Sequence, residues 1–190
     1  MSDQPARSRD AAATRDAIFE SAKQAFSEGG ADVGVRDIAA RAGVNSSLIN
    51  RYFGSKDQLL SEVVCSVPLD FAAVLKHDRA HFGVNVARGL IASCQKTGDF
   101  DPTLVMLRSL GSPGATTTFS TLIDTWLDPL ADVLDGADCR LRAELILSAM
   151  AGFQIFGRVV STRGIAEAAE EKVIALLGAT IQSYVDAPLP

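Results

Sequence analysis

The run RDIAARAGVNSSLINRYFGSK, residues 36–56, constrains this chain more than any other stretch. Two short helical patterns flank one glycine. With the first starting at Val35, the inward positions fall on Ile38, Ala39, Ala42, Val44, Ile49 and Tyr52. Ala39 is small, as the close crossing of two short helices demands, and Gly43 supplies the left-handed turn between them. Asn45 is placed to cap the second helix, which runs to about Phe53. Gly54 ends it, and Ser55-x-x-Gln58 opens the next helix with a capping pattern. The spacing therefore predicts a helix–turn–helix.

The second helix of that motif presents Ser46, Ser47, Asn50 and Arg51 outward. Small residues at its start let the backbone approach the floor of a major groove. Asn50 and Arg51 carry amide and guanidinium forks that match adenine and guanine edges. Lys56, in the first turn of the following helix, is placed to meet a phosphate together with the backbone N–H groups there. The candidate DNA-binding set is Arg36, Asn45, Ser46, Ser47, Asn50, Arg51, Tyr52 and Lys56.

Bulk charge does not advertise such a partner, because the formal net charge is −5. Its distribution is more informative. Residues 1–60 hold eight Lys/Arg against eight Asp/Glu, whereas residues 61–190 hold ten against fifteen. Within 36–56, four cations face only Asp37, so any anion-binding surface must be local.

The rest of the chain reads as helix. Ile18, Ala22, Ala25 and Phe26 recur at helical spacing from about Asp10, and Gly29-Gly30 ends that helix. The helix opened by Ser55 carries apolar residues to Leu75 with Pro68 inside it, which predicts a bend there. Later helices are expected at roughly 79–96, 102–110, 117–134, 138–160 and 165–185, separated by glycine-containing breaks. Alternating Val/Ile/Thr runs are scarce, so the fold class is all-α. The stretch from Leu145 to Val160 is apolar nearly all round and rich in small residues. Such a helix needs burial on more than one side. With the stripe on the last helix, this predicts a second subunit packing as a four-helix bundle.

The stretch from Ile18 to Val64 resembles the DNA-binding domain of the TetR family of bacterial repressors. Phe26, Ala42-Gly43-Val44, Phe53 and Gly54-Ser55-Lys56 carry the resemblance. It implies an N-terminal three-helix head followed by a six-helix ligand-binding and dimerisation body. The domain expectation is a flexible arm over 1–9, the head over 10–55 and the body over 56–190. The implied function is a ligand-responsive repressor that binds a palindromic operator as a homodimer and is released by a largely apolar inducer. Three positions depart from the family pattern. Gly34 stands where Thr or Ser commonly touches a phosphate, Asn50 replaces a common tyrosine, and Tyr52 stands where histidine is frequent. The alternative is a ligand-binding or protein-interaction module whose head is inactive.

Beyond about residue 75 the pocket rests on residue types. Phe82, Val86, Met106, Leu110, Phe119, Ile123, Trp126 and Phe153 are the candidate lining, with Arg88, Arg108, Asp124 and Gln154 as polar anchors. His77 and His81 are four residues apart, but no third ligand is evident, so no metal is expected. Cys65, Cys94 and Cys139 form no CxxC pair and read as reduced thiols. No cofactor is expected. The chain contains no GxSxG, HExxH or P-loop, which argues against an enzyme. The N-terminus lacks the apolar run of a secretory signal, and no stretch is long enough to span a bilayer. A cytoplasmic location without membrane attachment is expected.

Overall fold

The computed structural model describes residues 4–67, 70–95, 100–112 and 115–186, with side chains for all of these except 4–9, 115 and 116. Helices account for nearly all regular structure, and no strand occurs among the described residues. The chain divides into two compact units, residues 1–68 with 100–122 and residues 69–99 with 123–190.

The first unit is built on a long helix, α1 (Gln4–Gly29), which begins upstream of the expected start at Asp10. Gly30, at φ 63°, turns the chain into a single 3₁₀ turn. Then come α2 (Val35–Arg41), α3 (Ser47–Phe53) and α4 (Lys56–Cys65). Gly43 (φ 66°) and Gly54 (φ 80°) occupy the left-handed positions at the ends of α2 and α3, where a side chain would be strained. Ser55 caps α4 by accepting the Gln58 N–H at 3.1 Å. Ile18, Ala22 and Phe26 of α1 are fully buried, as are Ile38 of α2, Ile49 of α3 and Leu59 of α4. The Arg15 guanidinium adds a cross-link: it lies 4.6 Å from the centre of the Phe53 ring and 2.5 Å from Glu62.

A further helix, α7 (Pro102–Arg108), belongs to the same unit, opened by the Asp101 carboxylate accepting the Thr103 N–H at 2.8 Å. Behind it, the Ser109 hydroxyl accepts the Ala31 N–H at 2.8 Å and donates to the Val105 carbonyl at 2.6 Å. The backbone after α1 is thereby tied to the end of α7.

The second unit contains α5 (Phe71–His77), a 3₁₀ turn, α6 (Phe82–Gln95), the later part of α8 (Ala115–Ala131), α9 (Cys139–Gln154), α10 (Arg163–Ala166) and α11 (Glu170–Asp186). Its core joins Leu75, Phe82, Val86, Leu127, Leu130, Ala143, Ile146 and Ile181. The expected bent helix through Pro68 is instead two helices. Pro68 itself lies outside the described residues, but Asp70 opens α5 afresh by accepting the Ala73 N–H at 2.9 Å. The expected helix over 138–160 also changes character. From Ile155 to Val159 it widens into a π-helical turn, with the Val160 N–H reaching the Ile155 carbonyl at 2.9 Å.

Two features hold this unit together. The first is a close crossing of α6 and α11, where Gly83 and Gly178 face the opposing backbone. The second is Arg142 on α9, only 1% exposed. Its guanidinium donates to the carbonyls of Tyr184 (2.7 Å), Val185 (2.7 Å), Asp135 (2.6 Å) and Ala137 (3.3 Å). Carbonyls near the C-terminal end of α11, which lack partners within their own helix, are thus satisfied by a buried cation.

Candidate nucleic-acid interface and ligand groove

Local chemistry explains why α3 stands out from the first unit as a presenting helix. The Asn45 side-chain oxygen accepts the Ser47 N–H at 2.9 Å and fixes the entry to the helix. Ile49 and Phe53 are buried and anchor its inner face. Asn45, Ser47, Asn50 and Arg51 are exposed on the other side, and Ser46 and Tyr52 are half-buried at its edges. Arg36, exposed on α2, completes the set.

The four cations of this region differ sharply in what they already hold. Arg41 is paired with Glu28 at 2.7 Å, and that guanidinium holds the Glu28 carboxyl below the usual carboxylate range. Lys56 is half-buried and donates to the Ala31 carbonyl at 2.7 Å. An ammonium has three donors, so Lys56 keeps two, but its position is set by a structural bond that spacing alone did not anticipate. Arg36 and Arg51 have no hydrogen bond or ion pair among the described residues. At α2, Gly34 holds the cap position in extended backbone with no side-chain bond to the helix. The accessible surface therefore offers two uncommitted guanidinium groups, an amide and a small polar helix start, which is the donor set that phosphate and base edges accept.

The expected pocket lining is distributed over both units. Met106, Leu110 and Phe119 belong to the first, whereas Phe82, Val86, Ile123, Trp126 and Phe153 belong to the second. Leu110, expected to face a cavity, is 72% exposed in the turn after α7. Phe82 and Val86 are closed into the second core, with Ile123 and Phe153 packed against it, and Phe119 is buried in the first unit. Trp126 does line a groove, of about 360 Å³, together with Asp70, Phe71, Ala72, Thr125 and Pro129. Asp70 and Phe71 were not anticipated. The signal lay in the Asp-Phe-Ala-Ala sequence after Pro68, which starts a new helix and sets an acid beside an aromatic.

Of the polar anchors, Arg88 and Arg108 are exposed and Gln154 is half-buried. Asp124 is engaged on the surface by Arg140, which also holds Asp128 and Glu144. That carboxylate cluster raises the Arg140 pKa, chiefly through Glu144 and Asp124. His77 ends α5, and His81 sits after it with Nδ1 2.9 Å from the Asp78 carboxylate, whose pKa the imidazole lowers. No group of three potential metal ligands occurs among the described residues.

A three-helix head presenting α3, joined to further all-helical structure, is the build of a bacterial DNA-binding regulator. Comparison with known proteins agrees. The model described as "Bacterial regulatory proteins, tetR family" matches residues 18–63, and the one described as "Tetracyclin repressor-like, C-terminal domain" matches residues 80–185. The second match alone covers more than half of the chain, and the chain belongs to the TetR family of transcription regulators, which are not enzymes. The HTH-type transcriptional repressor Rv3405c of Mycobacterium tuberculosis is 49% identical over 49 residues, 25% of this chain and 26% of that protein. The HTH-type transcriptional regulator Mb3439c of Mycobacterium bovis gives the same figures, so the chain spans about a quarter of the length of the curated relatives it matches.

Among solved structures, a TetR-family regulator, SCO0857 of Streptomyces coelicolor, aligns over 93% of this chain and 96% of its own with TM-score 0.60 and 22% identity. GusR of Salmonella enterica aligns over 92% and 96% with TM-score 0.64 and 15% identity. RolR, solved in complex with resorcinol, aligns over 96% and 98% with TM-score 0.50 and 16% identity. At these identities the likeness shows the fold. No helix among the described residues is long and apolar enough to cross a membrane.

Proposed function

We propose that this protein is a ligand-responsive transcriptional repressor that binds a palindromic operator as a homodimer and is released by a small molecule held in the body. The observation that carries this reading is the pair of uncommitted guanidinium groups, Arg36 and Arg51, beside exposed Asn50 on a helix whose inner face is locked by Ile49 and Phe53. The two heads of a dimer then enter successive major grooves, about 34–36 Å apart. Residues 1–9 act as an arm to the head over 10–55, and residues 56–190 form the body. The protein works in the cytoplasm, where its operator is. RolR, a structural relative, holds a small aromatic ligand, which supports a ligand role for the body here.

In this reading Arg51 and Asn50 contact base edges, while Arg36, Asn45, Ser46, Ser47 and Tyr52 position the helix against the backbone. Lys56 supports the surface from behind by holding the Ala31 carbonyl and turns its remaining donors to phosphate. Arg51→Ala is expected to lower affinity for DNA from the upstream region of the gene by about 10- to 100-fold, the equivalent of about 1–3 kcal/mol per base contact, without changing thermal stability. Lys56→Met is expected to weaken DNA binding and lower the melting temperature together. Fluorescence anisotropy and a thermal melt on both variants check this. Arg51→Ala protein that binds as the wild type does would overturn the assignment of α3.

Dimerisation through the last two long helices, α9 and α11, is supported by an apolar face left uncovered on the second unit. Phe156 is 53% exposed, Val160 57% and Leu176 64%, with Leu141 and Val159 also outward. So much exposed aliphatic and aromatic surface on α9, its π turn and α11 is the signature of an interface. Leu176→Glu is expected to convert the dimer to monomer in sedimentation velocity. Operator affinity should fall by at least tenfold, because two half-sites are no longer engaged at once.

A further inference from the structure

The groove at Trp126 has a chemical character that identifies what it accepts. Resting on the reading of the body as the ligand-binding part, we propose that its ligand is an organic cation with an apolar or aromatic body, such as a substituted ammonium. Four observations support this. The groove's volume of about 360 Å³ is that of a small-molecule site. Among the described residues that line it, Asp70 is the only ionic group, and no lysine, arginine or histidine joins it. One Asp70 oxygen accepts the Ala73 N–H, and the other has no partner among the described residues. The walls bring the half-buried indole of Trp126 and, beside it, the phenyl ring of Phe71, which is mostly closed into the second core; aromatic rings of this kind attract cations.

The helix that carries Trp126 has the same sign on its other side. Asp124 and Asp128 flank Trp126 along α8, and Arg140 is shared among them and Glu144, which leaves that cluster with surplus negative charge. An anionic ligand would meet Asp70 with no counter-charge among the described lining residues. A purely apolar ligand would leave the carboxylate partly desolvated and unpaired, which carries a cost. A cation uses both the carboxylate and the rings.

Trp126 is the only tryptophan in the chain, so its emission reports the groove directly. Benzyltrimethylammonium, its uncharged carbon isostere neopentylbenzene and benzenesulfonate would be titrated against full-length protein while Trp126 emission is followed. The cation is expected to bind about tenfold or more tighter than the isostere, with affinity falling as salt rises, and the sulfonate is expected not to bind. Asp70→Asn keeps a residue able to cap α5 and removes the charge, so the variant should fold while losing most of the preference for the cation. Equal or tighter binding of the isostere, or unchanged cation preference in Asp70→Asn, overturns the proposal. An operator titration run in parallel separates the two readings. Operator binding released by neutral compounds but not by cations would sink this inference and leave the repressor standing. Charge-selective binding at Trp126 without any operator recognition would do the reverse.

Discussion

Arg142→Leu destabilises the protein by about 3–4 kcal/mol, the largest loss expected from any single side chain. The guanidinium is buried and answers four backbone carbonyls, of Asp135, Ala137, Tyr184 and Val185. Leucine fills much of the volume but takes the guanidinium from the Asp135, Ala137 and Tyr184 carbonyls, each an unmet demand of about 1–3 kcal/mol before relaxation, while the Val185 carbonyl keeps the Arg79 guanidinium at 3.2 Å. Relief from desolvating the charge offsets part of that. Because the bonds tie the turn before α9 to the end of α11, the loss reaches both helices. For a chain of this size the melting temperature should fall on the order of 10 °C, read by circular dichroism. Arg142→Lys should recover only part of the loss, since an ammonium has three donors and no planar fork. Arg140→Gln, on the exposed side of the same helix, should do far less despite its three ion pairs, because surface pairs are screened.

The second large effect reverses sign along one helix. A Cβ at Gly83 would stand 2.1 Å from the Gly178 carbonyl oxygen and 2.8 Å from the Gln182 nitrogen, both backbone atoms of α11. Neither can step aside without moving its helix. Gly83→Ala is therefore expected to cost about 2–3 kcal/mol, the overpacking penalty exceeding the gain in helix preference. Gly89 lies on the same α6, exposed, with nothing within 4 Å of its added carbon. Gly89→Ala should stabilise by about 0.5–1 kcal/mol through helix preference alone. Urea unfolding of the two variants side by side checks the pair. A shared sign would mean that α6 and α11 do not cross at Gly83.

What could be read from the sequence follows how local each signal is. The helix–turn–helix was legible because its glycines, its cap and its inward residues lie within some twenty positions. Gly43, Gly54, Ile38, Ile49 and the Ser55 cap all occur as the pattern requires. Lys56 shows where such reading stops. Its bond goes to a main-chain carbonyl 25 residues away, and main-chain carbonyls leave no trace in residue identity. Arg142 was missed for the same reason, since its partners are again backbone groups. The split between α4 and α5 turned on Asp70, whose capping role competed with continuation of an apolar helical pattern. For the groove, Trp126 was anticipated because of its size, but apolar composition cannot separate a lining residue from a core residue. Phe82 and Val86 are closed into the core, and Phe71, which borders the groove, belongs to the same core. The crossing at Gly83 and Gly178 pairs positions 95 residues apart, a distance over which no periodicity reaches.

The most direct test of the account is an anisotropy titration of the full-length protein against labelled DNA from the region upstream of its own gene. A scrambled fragment serves as control at two salt concentrations. A dimeric repressor should bind tightly and in a salt-sensitive way, prefer the native fragment, and saturate at two protomers per site or a multiple of two. Binding of the native fragment no better than the scrambled one, by a folded protein and across fragments selected from the whole genome, would contradict it.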